Sequence, residues 1–388
     1  MPGSMQSPRR SRRPILAGAA LLILAVVIGI GAVVVGTSPQ PSPSESPTAS
    51  PTPSPTPTES PSPSASPTTS PSPTASPVAT CPMNGEPLSD PALADRTAML
   101  VVIENNPEAR PPSGLNLADL VIEAPVEGDT TRFSAIFMCR ETIGDAIGTV
   151  RSLRYFNVDH FQQLRAVTFN FGGGGSVVRR LRDNGVPFVN GLTSGWPFFF
   201  RAGPLAAPHN VFLDVDAARA ELETGRLAEL AETAGQARAP FVFDPAVSLP
   251  EGRAVTSIGI QTASFWRFGW EWDGDAEMWL RTDSGAPNFD RLSGERLQAR
   301  TVMVQVVEQK VLPGELDPGG YPRRQQFLVG EGSGVLFVGG QAYDVSWSRP
   351  AADDVTTWTY EASGEPVVLP PGRVWWEIVP VGSSITEG

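Results

Sequence analysis

Between Glu104 and Arg154 the chain concentrates residues that could handle an anion. They run as Glu104-Asn105-Asn106-Pro107-Glu108-Ala109-Arg110-Pro111, Ser113-Gly114-Leu115, Ala118-Asp119-Leu120, Glu123, Glu127-Gly128, Thr131-Arg132 and Gly148-Thr149-Val150-Arg151-Ser152-Leu153-Arg154. Arg110, Arg132, Arg151 and Arg154 fall in or beside expected loops and strand ends. A planar guanidinium pairs bidentately with phosphate or carboxylate and keeps its charge at any working pH. The run Gly172-Gly173-Gly174-Gly175-Ser176 follows a strand pattern and precedes a helical one, so its backbone N–H groups could face the same anion. It lacks the Lys of a P-loop and the spacing of a dinucleotide fingerprint, which leaves a plain strand-to-helix turn as the alternative. The arginines have an alternative as well: ion pairs with Asp119, Glu123 and Glu127 inside the fold. The candidate ligand-binding set is Asn105, Asn106, Arg110, Glu127, Arg132, Arg151, Ser152, Arg154, Gly173, Gly174, Ser176, His209 and Asn210.

Other chemistries fit less well. Four-residue spacing would put Asp119, Glu123 and Glu127 on one helical face for an oxygen-ligated cation, but Leu120-Val121-Ile122 reads as strand and breaks that geometry. No metal and no cofactor is assigned. Of the two histidines, His160 is expected half-buried on a helix. His209 sits in the polar loop Pro208-His209-Asn210, where an imidazole could serve as acid or base or simply bond to backbone. There is no Gly-x-Ser-x-Gly elbow, and Cys139 is expected in mid-strand, a poor place for a nucleophile. Cys81 and Cys139 are the only cysteines, and a disulfide between them would pin the start of the folded part; two free thiols are the alternative.

The elements that must position these residues show in the apolar pattern. Residues 97–103, 132–139 and 166–171 are rich in β-branched and aromatic residues and predict strands. Residues 153–164, 176–184 and 215–234 carry helical spacing, the last behind Asp214 as an N-cap. Beyond Phe241 strand signals dominate, at 254–260, 301–307, 335–338, 343–347, 357–360 and 374–379. The expected fold class is therefore mixed α/β (α+β), with an α/β domain over 81–238 that carries the site and a mostly β domain over 239–388.

The amino-terminal 80 residues speak of location. Arg9, Arg10, Arg12 and Arg13 precede Ile15–Val35, 21 residues of Ile, Leu, Val, Ala and Gly only. As a helix that stretch spans about 31 Å, the hydrocarbon thickness of a bilayer. Arginines before it and none between Val35 and Cys81 predict a single-pass signal-anchor with the carboxyl-terminal region outside the cell membrane. A cleaved signal peptide is the alternative. Residues 37–80 hold 14 Pro among 44 residues, mostly with Ser and Thr. Such a low-complexity linker favours polyproline II and reaches on the order of 130 Å when extended. After residue 80 the chain has 25 Lys and Arg against 39 Asp and Glu, a balance opposed to binding nucleic acid.

These segments resemble the YerB-type lipoprotein family, an exported family of unknown function. Its pattern includes an Asn-x-x-x-Ala-Arg-Pro loop, Ser-Gly-Leu and Ala-Asp pairs, an acidic residue before Glu-Gly, a Thr-Arg-Phe strand start and a Gly-Pro-Val-Arg-Ser-x-Arg turn. The likeness continues through Gly172–Ser176, Pro208-His209-Asn210 and 364–380 with Trp375-Trp376-Glu377-Ile378-Val379-Pro380, so it covers most of 96–380. Thr149 stands where the family usually has Pro, and an apolar anchor with a stalk replaces the lipobox Cys. The resemblance implies an α/β domain followed by a β domain outside the membrane and supplies no reaction. The residues then favour a membrane-anchored envelope protein that binds an anionic envelope ligand, or another envelope protein, through an Arg- and Gly-lined pocket. A phosphoryl or glycan-phosphate transferase or hydrolase is the first alternative, a non-catalytic scaffold the second.

Overall fold

The structure, a computed structural model, describes residues 78–388 except 264 and 265. The expectations for Ile15–Val35 and for most of the Ser/Pro/Thr stretch lie outside the described residues.

The strand Met99–Glu104 (Met-Leu-Val-Val-Ile-Glu) is buried at every position, the pattern of a strand covered on both faces. It lies inside an 11-stranded sheet. On one side it runs parallel to Val167–Asn170, which in turn runs parallel to Phe188–Asn190. On the other it pairs antiparallel with Thr131–Phe137, which pairs antiparallel with Leu120–Pro125. Leu120–Pro125 runs parallel to Val374–Pro380, and that strand parallel to Thr301–Val307. Gly330–Val338, Gln341–Arg349 and Arg253–Ala254 follow antiparallel, with Thr357–Tyr360 beside Gln341–Arg349. One sheet thus takes strands from both sides of residue 238. A further consequence is geometric: Met99–Glu104, Leu120–Pro125, Val167–Asn170, Thr301–Val307 and Val374–Pro380 all end at the same edge.

A six-stranded antiparallel sheet built around Ser257–Ala263, Trp266–Asp273 and Met278–Asp283 packs on one face of the large one. Successive side chains of a strand point to opposite faces, so Val374–Pro380 sends Trp375 one way and Trp376 the other. Trp375 meets Trp270 edge-on at 5.0 Å and Phe133 at 5.5 Å. Trp376 meets Phe241 at 5.4 Å and Trp358 at 5.8 Å. Each indole removes roughly 200 Å² from water, worth about 5 kcal/mol, so this one strand fastens both layers.

Among the described residues the α-helices, including Phe156–Leu164, Gly175–Asp183, Val215–Glu223 and Ala228–Ala234, all precede residue 235, and strands make up the rest. The architecture is a mixed α/β amino-terminal part and a mostly β carboxyl-terminal part. Details depart from the sequence pattern. The single helix expected over 215–234 is two helices, because Thr224-Gly225 ends the first at a glycine whose Cβ would strike Glu221. The first helix begins at Phe156 rather than Leu153, since Arg154 donates its backbone N–H to Asn157 and Leu153 donates its own to Gly172. His160 is fully buried rather than half-buried. Cys139 lies just past its strand and is bonded to Cys81. With the cysteines 58 positions apart in sequence, the cross-link removes about 4 kcal/mol of unfolded-chain entropy on the loop-closure account.

Candidate functional site

The site is built on Glu104, the last residue of Met99–Glu104 and therefore at the carboxyl edge of the parallel strands. In open α/β sheets that edge is where ligands bind. Three backbone hydrogen bonds clip the segment Gly148–Arg151 beside it: Glu104 N–H to Thr149 O at 2.8 Å, Arg151 N–H to Val102 O at 2.8 Å and Val150 N–H to Val211 O at 2.7 Å. The last of these also holds the His209 loop in place. With the backbone so fixed, the buried Glu104 carboxylate receives Arg151 Nε on Oε1 at 2.8 Å and His209 Nδ1 on Oε2 at 3.0 Å. The Thr149 hydroxyl donates to Oε2 at 3.4 Å. Arg151 and His209 keep part of their surface in solvent, whereas Glu104 keeps none.

Arg132 lies directly across the antiparallel pair from Glu104. Its guanidinium is buried, with Nη1 donating to Ser152 O at 3.3 Å and Nε meeting no acceptor among the described residues. Burial, and then the like charge of Arg154, push its pKa down to about 9. Arg154 Nη1 donates to the same Ser152 carbonyl at 3.2 Å, and its Nε to Glu127 Oε2 at 2.5 Å. Burial lowers the Arg154 pKa while Glu127 opposes that shift. The second oxygen of Glu127 takes Arg323 Nη1 at 3.3 Å. Arg323 comes from the hairpin Gln309–Leu316 and Pro322–Gln326, which leaves the carboxyl end of Thr301–Val307 and so reaches the same edge.

The glycine run closes the cluster. Phe171 N–H donates to Arg151 O at 2.9 Å, Leu153 N–H to Gly172 O at 3.2 Å, and Gly172 N–H to Asn190 Oδ1 at 2.8 Å. A Cβ on Gly173 would touch Val178 at 3.0 Å and Leu153 at 3.5 Å; one on Gly174 would fall 2.1 Å from Arg323 Nη2 and displace that guanidinium. Gly174 begins the helix Gly175–Asp183 without any side-chain cap, so the first-turn N–H groups lie beside Arg323. Ser176 shares hydrogen bonds with Tyr155 and Glu315.

The remaining expected residues lie elsewhere or do other work. Arg110 pairs with Asp283 and donates to Asn105 O at 2.9 Å. Asn105 Nδ2 donates to Thr131 at 2.7 Å and to Glu123 at 3.2 Å, facing the interior between the sheets. Asn106 opens a short turn with its Oδ1 buried and, among the described residues, without a hydrogen-bond partner. Asn210 accepts from Arg201 at the surface. Of the three acids proposed as ion-pair partners, Glu127 pairs with Arg154. Glu123 pairs with Arg281, and Asp119 accepts the N–H groups of Met138 at 2.7 Å and Cys139 at 2.9 Å. The sequence reading missed Glu104 as the pivot and Arg323 as a contributor. Glu104 could have been found as the carboxylate ending an apolar strand beside the Asn loop; Arg323 carries no motif.

Comparison with known proteins agrees with this architecture. The family described as "Protein of unknown function (DUF3048)" matches in two parts, its N-terminal domain over residues 83–228 and its C-terminal domain over residues 258–376. A protein of Bacillus subtilis (strain 168) named "Putative lipoprotein YerB" is 27% identical over 300 residues, covering 76% of this chain and 86% of the relative. The crystal structure of YerB from Bacillus subtilis superposes with a TM-score of 0.66 at 24% identity, over 79% of this chain and 99% of the other, and so shows the shared fold.

Proposed function

Because the chain belongs to the YerB-like DUF3048 family, we propose that it is tethered by Ile15–Val35 with residues 78–388 outside the cell membrane, and that its arginine cluster binds an anionic envelope component. The relative's name as a lipoprotein supports the extracytoplasmic side, and the arginines before the apolar stretch support the orientation. Protease added to intact protoplasts should then remove the folded region. Protection from that protease would overturn the topology.

The observation that carries the binding reading is Arg132. Its buried guanidinium has no carboxylate within ion-pair distance among the described residues, and it lies near Arg154 and Arg151, whose own ion pairs among the described residues are with Glu127 and Glu104. A buried cation without a counter-ion is costly, and a bound anion relieves that cost. Arg151 provides the reachable donors, the buried Arg132 and Arg154 the field behind it, and the uncapped helix start a further set of N–H groups. A phosphate-bearing group suits this set better than a single carboxylate, since it offers more acceptor oxygens and more charge.

Isothermal titration of the full-length protein with inorganic phosphate and glycerol phosphate tests the reading. Arg151→Lys should weaken binding roughly tenfold or more and Arg151→Ala little further, because one ammonium cannot replace a planar fork. Wild-type protein that binds phosphate no better than chloride would refute the proposal. So would a Lys variant with unchanged affinity.

A further inference from the structure

We propose that Glu104 and His209 form a proton-transfer dyad, and that the phosphate-bearing ligand of the arginine cluster is a phosphoester that this dyad hydrolyses. The inference rests on the anion-binding reading above and adds a reaction to it.

The geometry has three parts. Glu104 is buried at the end of its strand, and its two oxygens are divided between Arg151 and His209. With Nδ1 donating its proton to the carboxylate, Nε2 of His209 is left as the basic nitrogen, on a ring that still reaches solvent. Arg151 fixes the carboxylate, the carboxylate fixes the tautomer, and the backbone bond of Val150 to Val211 fixes the loop carrying the ring. A purely structural account explains less. The Arg151 contact by itself offsets the Glu104 charge, so neutralisation gives no reason for a partly exposed imidazole to be clamped on the second oxygen.

Glu104 is also the link to the anion site, since it faces Arg132 across the strand pair. The chemistry follows from that sharing. The oxygen of a water molecule forms a bond to phosphorus as the P–O ester bond breaks. The proton lost by the water passes to His209 Nε2 and then to solvent, and the ester oxygen leaves with the bonding electron pair and takes a proton from solvent. Arg151 and Arg154 offset the charge that builds on the phosphoryl oxygens. His209 is the catalytic base and Glu104 a positioning residue.

The experiment uses the full-length protein with p-nitrophenyl phosphate and bis(p-nitrophenyl) phosphate, alongside inorganic phosphate binding. At least one ester should be turned over. His209→Gln should lower kcat by about 10²–10⁴-fold with KM changed less than tenfold, and should flatten the acidic limb of the pH–rate profile. Glu104→Gln should lower kcat while unfolding temperatures confirm a folded protein; if it fails to fold, the His209→Gln profile decides alone. Phosphate binding without hydrolysis of either ester, or His209→Gln at the wild-type rate, overturns the dyad and leaves the binding site standing. Absence of phosphate binding removes both.

Discussion

Replacing Arg281 by Met should cost about 3–5 kcal/mol of folding free energy, the range for removing one partner of a buried ion pair. Arg281 is fully buried, and its Nη2 lies 2.8 and 2.9 Å from the two oxygens of Glu123, which is equally buried. Glu123 also accepts from Trp375 Nε1 at 3.1 Å and from the Thr131 hydroxyl at 2.5 Å. Directly beside it on the neighbouring parallel strand is Glu377. Burial first, and the charge of Glu123 second, hold the Glu377 carboxyl well above its ordinary range and favour its protonated form. Arg281 is therefore the cation in direct contact with the Glu123 carboxylate between the two sheets. The rings of Phe268, Phe133 and Trp375 surround the guanidinium at 5.2, 5.6 and 5.6 Å, so Met fills the space and the loss reports charge rather than a cavity. Urea unfolding measures it. The double variant Glu123→Gln/Arg281→Met should recover about 1 kcal/mol or more relative to the sum of the singles, as contacting residues do. A loss under about 1 kcal/mol for Arg281→Met would show that Glu123 needs no counter-ion.

The same centre marks where sequence reading stops. Strands such as Met99–Glu104 and Val374–Pro380 were legible because a short apolar run, bounded by turn residues, has few other uses. Thr301–Val307 was legible for the same reason. The strand Trp266–Asp273 was missed although Trp-Arg-Phe-Gly-Trp-Glu-Trp-Asp alternates aromatic with polar or glycine residues throughout, the period of a strand, and it pairs with both Ser257–Ala263 and Met278–Asp283. No local pattern could reveal that Arg281 reaches Glu123 across 158 residues. The arginine cluster was partly legible, because loops next to strand ends present ligand-contacting groups and Arg132, Arg151 and Arg154 sit in such places. Arg110 has the same local setting and yet turns to Asp283, a residue of the second sheet. Which arginine goes where is decided by tertiary pairing, not by spacing.

Acid should expose another buried titratable group, His160. His160 lies on Phe156–Leu164 with no solvent exposure, its Nδ1 3.1 Å from the Ser134 hydroxyl and its ring 5.1 Å from that of Phe156. Burial first, and the positive charge of Arg349 second, push its pKa from 6.5 down to about 3. The folded pKa is thus below the unfolded one. Keeping His160 neutral costs nothing above about pH 6.5, and stability is lost as the pH falls toward 3, at about 1.4 kcal/mol per unit. Asp119 and Asp159 are raised by burial and respond in the opposite sense, so total stability against pH would blur the effect. A difference between two chains isolates it. His160→Gln keeps a polar group near Ser134 but cannot titrate, so the stability of wild type relative to this variant should fall by about 2 kcal/mol between pH 7.5 and pH 5, read by urea unfolding at each pH. A difference that stays constant over that range would mean that His160 takes up its proton in the folded protein. The helix Phe156–Leu164 would then have to admit water or a counter-ion beside Ser134, against the burial described here.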